Sequence, residues 1–399
     1  MNRLEELIQQ YCPDGVENKK LEECCQILDN KRKPITKGAR VAGEYPYYGA
    51  NGIQDYVADY IFDGKYVLVG EDGSVITSNG TPVVNWAEGK IWVNNHAHII
   101  SEKDGVLLRY LFHYLQTINI SPLIHGNIPK LTGGDFRALT IPVPPLPVQE
   151  EIVRILDNFA ELQAELQAEL QKRLLQYNYY RDNLLSFEGR SDVEWKKLGE
   201  MCSLITKQTG FDYSNHIKDK LIRENKPNHL PYIQTKFFTG RAFNLNTDYY
   251  IPNEIAFKFP KIVLDTKCIL LSIVGASIGN IGLYDTPVKS FLGGAIGVAK
   301  PNTDVNVEFL YYYLTSHNGQ KQIFHKVKGA GQATITIEDI REFLIPQPSV
   351  EEQQHIVSIL DRFDKLTTDI TAGLPAEIEA RRKQYEYYRD QLLTFKQKA

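Results

Sequence analysis

The longest periodic hydrophobic pattern in the chain runs from residue 149 to residue 185. Its apolar side chains recur at steps of three and four residues, which is the spacing of one face of an α-helix. The stripe is narrower than that of a helix buried in a globular core, and it is typical of the seam between two paired helices. We therefore predict one helix of 37 residues, about 55 Å long. The stripe consists of Ile152, Leu156, Phe159, Leu162, Leu166, Leu170, Leu174, Tyr177 and Leu184.

The sequence motifs at the two ends of this predicted helix each occur twice in the chain. QYNYYRDNLLSF at 176–187 recurs as QYEYYRDQLLTF at 384–395, with nine of twelve residues identical. IPVPPLPVQEEIVRILDNF at 141–159 recurs as IPQPSVEEQQHIVSILDRF at 345–363, with ten of nineteen residues identical. An internal repeat of this size predicts two similar structural units.

Each half also begins with a similar motif, VENKKLEECC at 16–25 and VEWKKLGEMC at 193–202, and then passes through a long dissimilar body. The second helix candidate spans 356–392, and Gly373 and Pro375 are expected to kink or break it. If a pseudo-twofold axis relates the halves, the two helices pair antiparallel and hold one body at each end. A generic coiled-coil spacer that carries unrelated bodies is the alternative interpretation.

The two variable bodies are expected to be rich in β-strands. KYVLVG and KIWVNNHAHII, which begin at Lys65 and Lys90, are short, β-branched segments, as is KIVLDTKCILLSIVG at 261–275. Each body then ends in an aromatic helical segment, RYLFHYLQT at 109–117 and EFLYYYLTS at 308–316. We expect these aromatic stripes to be core rather than base-stacking surfaces. The predicted fold class is α+β, with two β-rich bodies joined by two long antiparallel helices that form a coiled-coil spacer.

The composition is that of an ordinary soluble protein of two or more domains. The chain has 399 residues, of which 43% are hydrophobic and 24% charged. No run approaches the length of about 18 apolar residues that a membrane span needs, and the start, MNRLEELIQQYC, lacks the apolar core of a signal peptide. Five cysteines without a CxxC pair favour a reduced, cytoplasmic setting over a disulfide framework or a zinc site.

The net charge of −4 does not indicate nucleic-acid binding, so such a function has to come from the local distribution of charge. The run KRKPITKGAR at 31–40 holds five basic residues and no acidic residue. A solvated loop explains this run as well as a phosphate contact does, when the run is considered alone.

The common catalytic motifs are missing from the sequence. The glycine-rich run at 275–297 contains no GxxxxGK[ST] motif, and we expect it to form turns between strands. His96 and His98 alternate as they would on one strand face, but no third zinc ligand is evident. The only Pro-Pro pair, Pro144-Pro145, lies in the hinge before the helix rather than in the loop that an adenine methyltransferase needs. We therefore expect no chemistry from this chain alone.

The order of a variable body, an IPxP hinge, a QxxIVxILDxF helix and a QYxYYRDxLLxF helix end, all occurring twice, resembles the specificity subunit of type I restriction-modification systems. YPYYGANGI at 45–53 and WVNNHAHII at 92–100 are also typical of the variable regions of that family. The resemblance covers essentially the whole chain.

The resemblance implies that each body is a target-recognition domain that reads one half of a split DNA sequence. Because the two bodies differ, the target is expected to be asymmetric. The helices would set the spacing of the half-sites and dock two methyltransferase subunits, and restriction and translocase subunits would join through the complex. The chain itself would need no cofactor, since the partner subunits use S-adenosylmethionine, ATP and magnesium. No membrane partner is expected.

The repeat boundaries predict four consecutive segments. Recognition domain 1 is expected at 1–144, the first helical spacer at 145–188, recognition domain 2 at 189–346 and the second helical spacer at 347–399. The alternatives from other classes are a structural adaptor without a DNA role and a stand-alone fused restriction-methylation enzyme. The fused enzyme would require a cofactor motif, and DNA-binding assays with and without a methyltransferase partner would separate all three.

Basic side chains are suited to phosphates, and Asn, Gln, Arg and Lys side chains are suited to base edges. By the internal alignment 30–33 falls over 207–210, so ITKQTG is expected to take the place of DNKRKP. The candidate DNA contacts are Lys31, Arg32, Lys33, Lys37, Arg40, Asn94, Asn95, His96, Lys207, Gln208, Thr209, Lys236 and Arg241. The candidate residues for helix pairing or partner docking are Ile152, Leu156, Phe159, Leu166, Tyr177, Tyr180, Ile356, Leu360, Phe363, Tyr385 and Tyr388.

Overall fold

A computed structural model of the chain describes residues 3–238, 241, 245, 247–329, 333–368 and 372–398. The helices of the first half are α1 (Arg3–Tyr11), α2 (Leu21–Cys24), α3 (Leu108–Leu115), α4 (Gly133–Arg137) and α5 (Leu146–Leu184). The strands of the first half are β1 (Asn18–Lys20), β2 (Gln26–Ile27), β3 (Ala42–Gly49), β4 (Gly52–Val57), β5 (Phe62–Gly70), β6 (Val84–Val93), β7 (Ala97–Ser101) and β8 (Thr140–Pro142).

The second half repeats this mixture of helices and strands, so the α+β class is confirmed. Its strands are β9 (Glu194–Lys197), β10 (Cys202–Lys207), β11 (His229–Ile233), β12 (Tyr250–Pro252), β13 (Val263–Leu264), β14 (Cys268–Ser272), β15 (Ile281–Tyr284), β16 (Ser290–Leu292), β17 (Ile296–Pro301) and β18 (Leu344–Gln347). Its helices are α6 (Leu198–Met201), α7 (Gly210–Asp212), α8 (Asn253–Ala256), α9 (Val307–Thr315), α10 (His317–Lys326), α11 (Ile337–Arg341), α12 (Val350–Thr368) and α13 (Leu374–Leu392).

The chain divides into two compact units. Unit 1 contains Met1–Glu165 and Glu379–Ala399, and unit 2 contains Leu166–Ile378. Each unit holds one β-rich body, which we call head 1 (residues 16–140) and head 2 (residues 193–344). The unit boundaries fall inside α5 and α13, because each head packs against half of one helical copy and half of the other.

The first helical copy is continuous and the second is interrupted, as the sequence predicted. Helix α5 extends over 39 residues. The second copy consists of α12, which ends at Thr368, and α13, which begins at Leu374, directly after Gly373 and with Pro375 in its first turn. Proline is tolerated in the first turn of a helix because that position needs no backbone N–H donor. In the described part of the chain, no helix is long and apolar enough to cross a membrane.

Matching aromatic contacts show that the sequence repeat is also a structural repeat. In unit 1 the rings of Phe159 and Tyr388 stack with their centroids 5.4 Å apart. In unit 2 the rings of Phe363 and Tyr180 stack at 5.5 Å. The two phenylalanines occupy equivalent places in the repeat, and so do the two tyrosines. Each unit thus pairs a segment from one helical copy with a segment from the other.

The helices of unit 2 pair antiparallel. The ring of Tyr177 lies 6.3 Å from that of Phe363. Further along the chain, beyond the end of α5, the guanidinium of Arg190 donates to the carboxylate of Glu352 at 2.5 Å. Residue numbers therefore rise along one segment while they fall along the other, which confirms the predicted antiparallel pairing in this unit.

The first apolar residues of each helical copy lie inside the core of a head. Ile152 and Leu156 are fully buried in a cluster with α3, and Leu360 and Ile356 are buried in a cluster with α9. The aromatic helices α3 and α9 are therefore core elements, as predicted. Burying an aliphatic side chain of this size contributes about 1.5–3 kcal/mol. Such contacts make the first turns of each spacer helix an integral part of its head.

Head 1 is built on a six-stranded sheet in the order β2-β7-β5-β6-β3-β4, and the ribbon β1-β8 joins its two ends. Within the sheet β3 and β6 are parallel, and their register aligns Tyr47 with Trp92. In head 2 the same elements are divided between two four-stranded sheets, β10-β17-β14-β15 and β12-β11-β16-β13. There β11 and β16 are parallel and align Tyr232 with Phe291. The heads thus share one topology although their sequences differ.

One prediction about local structure is wrong. WVNNHAHII is not a single strand, since β6 ends at Val93 and β7 begins at Ala97. His96 is exposed in the turn between these strands, whereas His98 is 1% exposed on β7. The two histidines therefore do not share a strand face, because the turn at 94–96 interrupts the alternation.

Candidate nucleic-acid interface

Three loops of head 1 meet beside the junction of β6 and β7. They are the loop at 29–40 after β2, the loop at 71–74 after β5 and the turn at 94–96. The Lys33 amide donates to the Val93 carbonyl at 3.2 Å, and the Glu71 amide donates to the His96 carbonyl at 2.9 Å. The basic run and the NNH turn predicted from sequence are thus brought together on one surface.

A largely buried charged cluster holds these loops. The Arg32 guanidinium donates to Glu71 at 2.6 Å and to the Ala97 carbonyl at 2.6 Å, and it lies 3.6 Å from Asp29. His98 also belongs to this cluster. Its Nδ1 atom lies 2.7 Å from the Asp29 carboxylate, and its Nε2 atom lies 3.1 Å from the carbonyl of Leu131. Burial raises the pKa of Asp29, but the hydrogen bond from His98 and the charge of Arg32 outweigh burial and leave that pKa below its ordinary value.

This cluster contains metal-ligating side chains but does not need a metal. The ligand atoms of Asp29, Glu71 and His98 lie within 4.8 Å of one another. The guanidinium of Arg32 already supplies a positive charge to both carboxylates. Both ring nitrogens of His98 also have partners. We therefore assign the cluster a structural role, the positioning of the loops.

Three of the predicted contact residues in the basic run are exposed to solvent, Lys31, Lys33 and Lys37. None of them forms an ion pair with another described residue. Asn95 and His96 are also exposed, and the imidazole of His96 contacts Asp72. These side chains are available for DNA, the lysines for phosphates and the turn for base edges.

The internal contacts of three other predicted residues point to positioning instead of direct contact. Arg32 belongs to the buried cluster. Arg40 donates to Asp55 at 3.2 Å and covers the ring of Tyr47 at 4.2 Å. Asn94 is 2% exposed, and its side chain accepts from the His96 amide at 2.8 Å. Sequence reasoning could not separate these residues from their exposed neighbours, because burial depends on distant segments.

In head 2 the predicted contact residues at the end of β10 and just after it also differ in exposure. Lys207 is exposed. Gln208 is 3% exposed, and its amide donates to the Leu292 carbonyl at 3.3 Å while its oxygen accepts from the Tyr232 hydroxyl at 3.2 Å. Gln208 therefore braces the loop, and its contact with DNA stays a prediction.

The other predicted residues of head 2 also have internal partners. Thr209 is exposed but caps α7, since its hydroxyl accepts from the Asp212 amide at 3.1 Å. Lys236 is 57% exposed and pairs with Asp248. An exposed ion pair of this kind is worth little and can exchange for a phosphate. Lys207 and Lys236 thus remain the basic contact candidates of this head.

The structure shifts the internal alignment of these loops by one residue. Strand pairing sets Ile27 opposite Ile100 in head 1 and Ile205 opposite Ala299 in head 2. Ile27 thus corresponds to Ile205, an offset of 178 rather than the 177 of the sequence alignment. The extra residue lies in the β-bulge between Cys202 and Leu204. A bulge adds one residue to one strand of a pair, which sequence identity alone does not locate.

Head 2 also has a cavity of about 480 Å³ that no sequence motif marked. It lies where β11 and β16 end, next to the loop that contains Gln208. Its lining includes Tyr213, Lys218, Gln234 and Tyr249. These four residues come from three segments that are distant in the chain, so only the fold brings them together.

A carboxylate of the ILDxF motif anchors head 1 to the spacer. Asp157 accepts from His113 at 2.8 Å and from Arg109 at 2.8 Å. The other ring nitrogen of His113 lies 3.2 Å from the hydroxyl of Tyr385 on α13. These contacts fit a neutral His113 that donates through Nε2 to the carboxylate and accepts at Nδ1. Burial lowers the pKa of His113, and the weaker effect of Asp157 does not reverse the direction.

The equivalent carboxylate anchors head 2. Asp361 accepts from the Tyr312 hydroxyl at 2.7 Å and also pairs with Arg241. Arg241 donates to the same hydroxyl at 2.9 Å and is 24% exposed. Arg241 therefore joins head 2 to α12, and its predicted contact with DNA stays a prediction. The two anchors differ in one respect, since head 1 uses a titratable histidine where head 2 uses a tyrosine.

Because the anchor of head 1 contains a titratable histidine and the anchor of head 2 does not, we expect a pH dependence of stability that is confined to unit 1. As pH falls below about 6.5, the unfolded chain binds a proton at His113 that the folded unit excludes, so the unfolding free energy of unit 1 should fall. The slope is at most about 1.4 kcal/mol per pH unit for one group. Hydrogen exchange of the α3 amides between pH 7.5 and 5.5, corrected for intrinsic rates, measures the effect.

Helix α9, which contains Tyr312, provides an internal control. Its amides should not lose protection from hydrogen exchange as the pH falls from 7.5 to 5.5. The variant His113→Gln keeps an N–H donor for Asp157 but does not titrate in this range. It should remove the pH dependence of α3. The same pH dependence in this variant as in the wild-type chain would contradict the assignment to His113.

Two segments of the chain, residues 13–176 and 190–380, match the family model of the type I restriction modification DNA specificity domain. The chain belongs to this family. The chain is 35% identical over 394 residues to the putative type I restriction enzyme specificity subunit S.HindORF215P of Haemophilus influenzae. The aligned residues cover 95% of this chain and 96% of the relative. The chain is 36% identical over 303 residues to the EcoR124I/EcoR124II specificity subunit of Escherichia coli, with coverages of 74% and 72%.

Solved structures agree with the fold of this specificity subunit. The crystal structure of the type I S subunit from M. genitalium superimposes with a TM-score of 0.54 at 17% identity and covers 94% of each chain. A chain from a structure of complex assembly in the type I R-M system has a TM-score of 0.55 at 16% identity, with coverages of 96% and 98%. The two segments that match the family model contain head 1 and head 2, so the heads are the two target recognition domains of a specificity subunit, a family whose members are not themselves catalytic.

Proposed function

We propose that head 1 and head 2 each read one half of an asymmetric, bipartite DNA target. The observation that carries this proposal is that the heads share a topology but present different side chains at equivalent places. The turn NNH at 94–96 of head 1 corresponds to GGA at 293–295 of head 2. Two heads with one architecture and different contact surfaces suit two different half-sites.

The exposed lysines of each head would position the DNA by its phosphates. Lys31, Lys33 and Lys37 serve this purpose in head 1, and Lys207 and Lys236 in head 2. Phosphate contacts fix register without reading sequence, so base recognition in head 1 would come from Asn95 and His96.

The spacer helices would dock two copies of one methyltransferase subunit. Support comes from Tyr179 and Tyr387, which take equivalent places in the repeat and are 65% and 62% exposed. Exposed aromatic side chains are enriched at protein interfaces. The restriction and translocase subunits would join through this complex. The partner subunits would supply S-adenosylmethionine, ATP and magnesium chemistry, while this chain supplies recognition.

Exchange of the heads tests the proposal. Residues 16–140 are replaced by the corresponding segment of another specificity subunit, and the chimera is purified with its methyltransferase partners. Sequencing of the methylated DNA should show that one half of the target has changed and the other half is intact. The wild-type complex is the control.

Three outcomes would contradict the proposal. A change in both half-sites would show that the heads do not act independently. Wild-type complex without sequence-specific binding would leave the chain as a structural adaptor. Turnover of S-adenosylmethionine by the purified single chain would instead show that it carries catalytic chemistry of its own.

A further inference from the structure

The cavity of head 2 is lined by a carboxamide whose oxygen has no hydrogen-bond partner among the described residues. Gln234 follows β11 and lines the cavity. Its Oε1 atom is buried and accepts no hydrogen bond from any described residue. A buried polar atom left unpaired costs about 1–3 kcal/mol. Such atoms are rare in native proteins, and a ligand that supplies the missing donor is one explanation for them.

The comparison with head 1 shows why this carboxamide is unpaired. Through the parallel strand pairs, Gln234 corresponds to Gly49 and Gly293 to Asn94. In head 1 the space over Gly49 is filled by the side chain of Gln54, whose oxygen accepts from Asn94 at 3.4 Å. Head 2 has Gly293 where that donor stands, so the carboxamide of Gln234 lacks the internal partner that the carboxamide of Gln54 has in head 1.

The surroundings leave the carboxamide room to move. Gly293 and Gly294 bring no side chains to the cavity, and Gly293 has no space for one, since an added Cβ would meet the Ile233 carbonyl. Turning Gln234 towards the cavity breaks no hydrogen bond to a described residue. Gln208, which contacts Tyr232 in the cavity lining, would have to break two hydrogen bonds to turn towards the cavity. Of these two glutamines, Gln234 is therefore the one that is able to meet a ligand.

The position and charge of the site fit DNA. Lys218 lies in the cavity lining and is exposed, and Lys236 is exposed two residues beyond Gln234. The cavity also adjoins the β10 loop that carries Lys207. Cationic side chains around a free carboxamide provide phosphate contacts beside a group that reads base edges.

We propose that Gln234 is a specificity-determining residue of head 2 that reads an adenine in its half-site. This inference rests on the proposed function, in which head 2 binds one half of the target. The missing donor is supplied by the N6 amino group, which Oε1 accepts, while Nε2 donates to N7. This bidentate pairing distinguishes adenine from the other bases in the major groove.

The test uses the complete complex of this chain with its methyltransferase partners and a DNA library randomised in both half-sites. The wild-type complex first gives the two half-sites. Gln234→Met keeps the side-chain volume but removes both hydrogen-bonding groups. It should reduce discrimination at one A·T pair of a single half-site by roughly 5- to 150-fold. The other half-site should not change.

A second variant tests the chemistry of the contact. Gln234→Glu presents only acceptor oxygens, which suit the amino group of cytosine, so the preference at that base pair should shift from adenine towards cytosine. Asn253→Ala is the matched control, since Oδ1 of Asn253 is also buried and unpaired among the described residues but is not part of the cavity lining. This control should leave both half-sites as they are in the wild-type complex.

The two proposals fail in different ways. If the wild-type complex methylates a bipartite target and both Gln234 variants keep the same base preferences, the role of Gln234 is wrong while the proposed function stands. If the wild-type complex shows no bipartite target, the proposed function itself is wrong. Lower activity of both variants at unchanged base preference would also overturn the assignment, because it would reflect only folding or packing.

Discussion

Insertion of two residues into AELQAELQAELQ at 160–171 is expected to abolish DNA modification by the assembled complex, whereas insertion of one four-residue unit should preserve it. Two residues rotate the rest of α5 by about 200°, and four rotate it by only about 40° beyond a full turn. Phe159 and Tyr180 lie on either side of this segment and stack on Tyr388 and Phe363. Only the four-residue insertion keeps both stacked pairs near their partners.

The four-residue insertion should also change the gap between the half-sites. It lengthens the helix by about 6 Å, and one base-pair step is about 3.4 Å. The preferred gap should therefore shift by one or two base pairs while the bases read remain the same. Methylation of targets whose gaps differ by single base pairs measures this shift.

Replacement of Glu165 and Gln167 by alanine is a control, because it changes the same segment without changing the length of α5. It should leave the preferred gap between the half-sites unchanged. If the four-residue insertion also left the preferred gap unchanged, these helices would not set the distance between half-sites. Full activity after the two-residue insertion would show that the aromatic pairs are not required.

Arg32→Ala is expected to lower the unfolding free energy of head 1 by about 3 kcal/mol, near the lower end of the range for breaking a buried ion pair. The variant leaves Asp29 and Glu71, which are 12% and 14% exposed, without the guanidinium that they share. Lys130 reaches Glu71 at 3.3 Å from the solvent side and offsets part of the loss. Urea unfolding of the wild-type and variant chains measures the difference.

The double variant Lys31→Ala, Lys33→Ala is the matched comparison, since both side chains come from the same run but are exposed. It should keep the wild-type stability and weaken binding to all DNA sequences. The slope of log K against log salt should fall by about one for each lost phosphate contact. Wild-type stability of Arg32→Ala together with a reduced salt slope would place Arg32 on a phosphate.

Local sequence determined the spacer and the repeat. The three- and four-residue spacing of apolar side chains identified α5, and Gly373 with Pro375 marked the interruption of the second copy. Helical periodicity and the missing proline N–H act within a few residues, so such features can be predicted without the fold. The duplicated motifs likewise predicted two similar structural units, and the matching stacks of Phe159 on Tyr388 and of Phe363 on Tyr180 agree with that prediction.

Only the tertiary structure decided which polar residues are available to DNA. Lys31, Arg32 and Lys33 are adjacent and basic, but Arg32 alone meets Glu71, which lies 39 residues away. Likewise Gln234 was not marked by any motif, because its unpaired state depends on Gly293, which follows β16 in a distant part of the chain. Burial and hydrogen bonding of a polar side chain depend on segments distant in the chain, whereas helix periodicity depends on its neighbours.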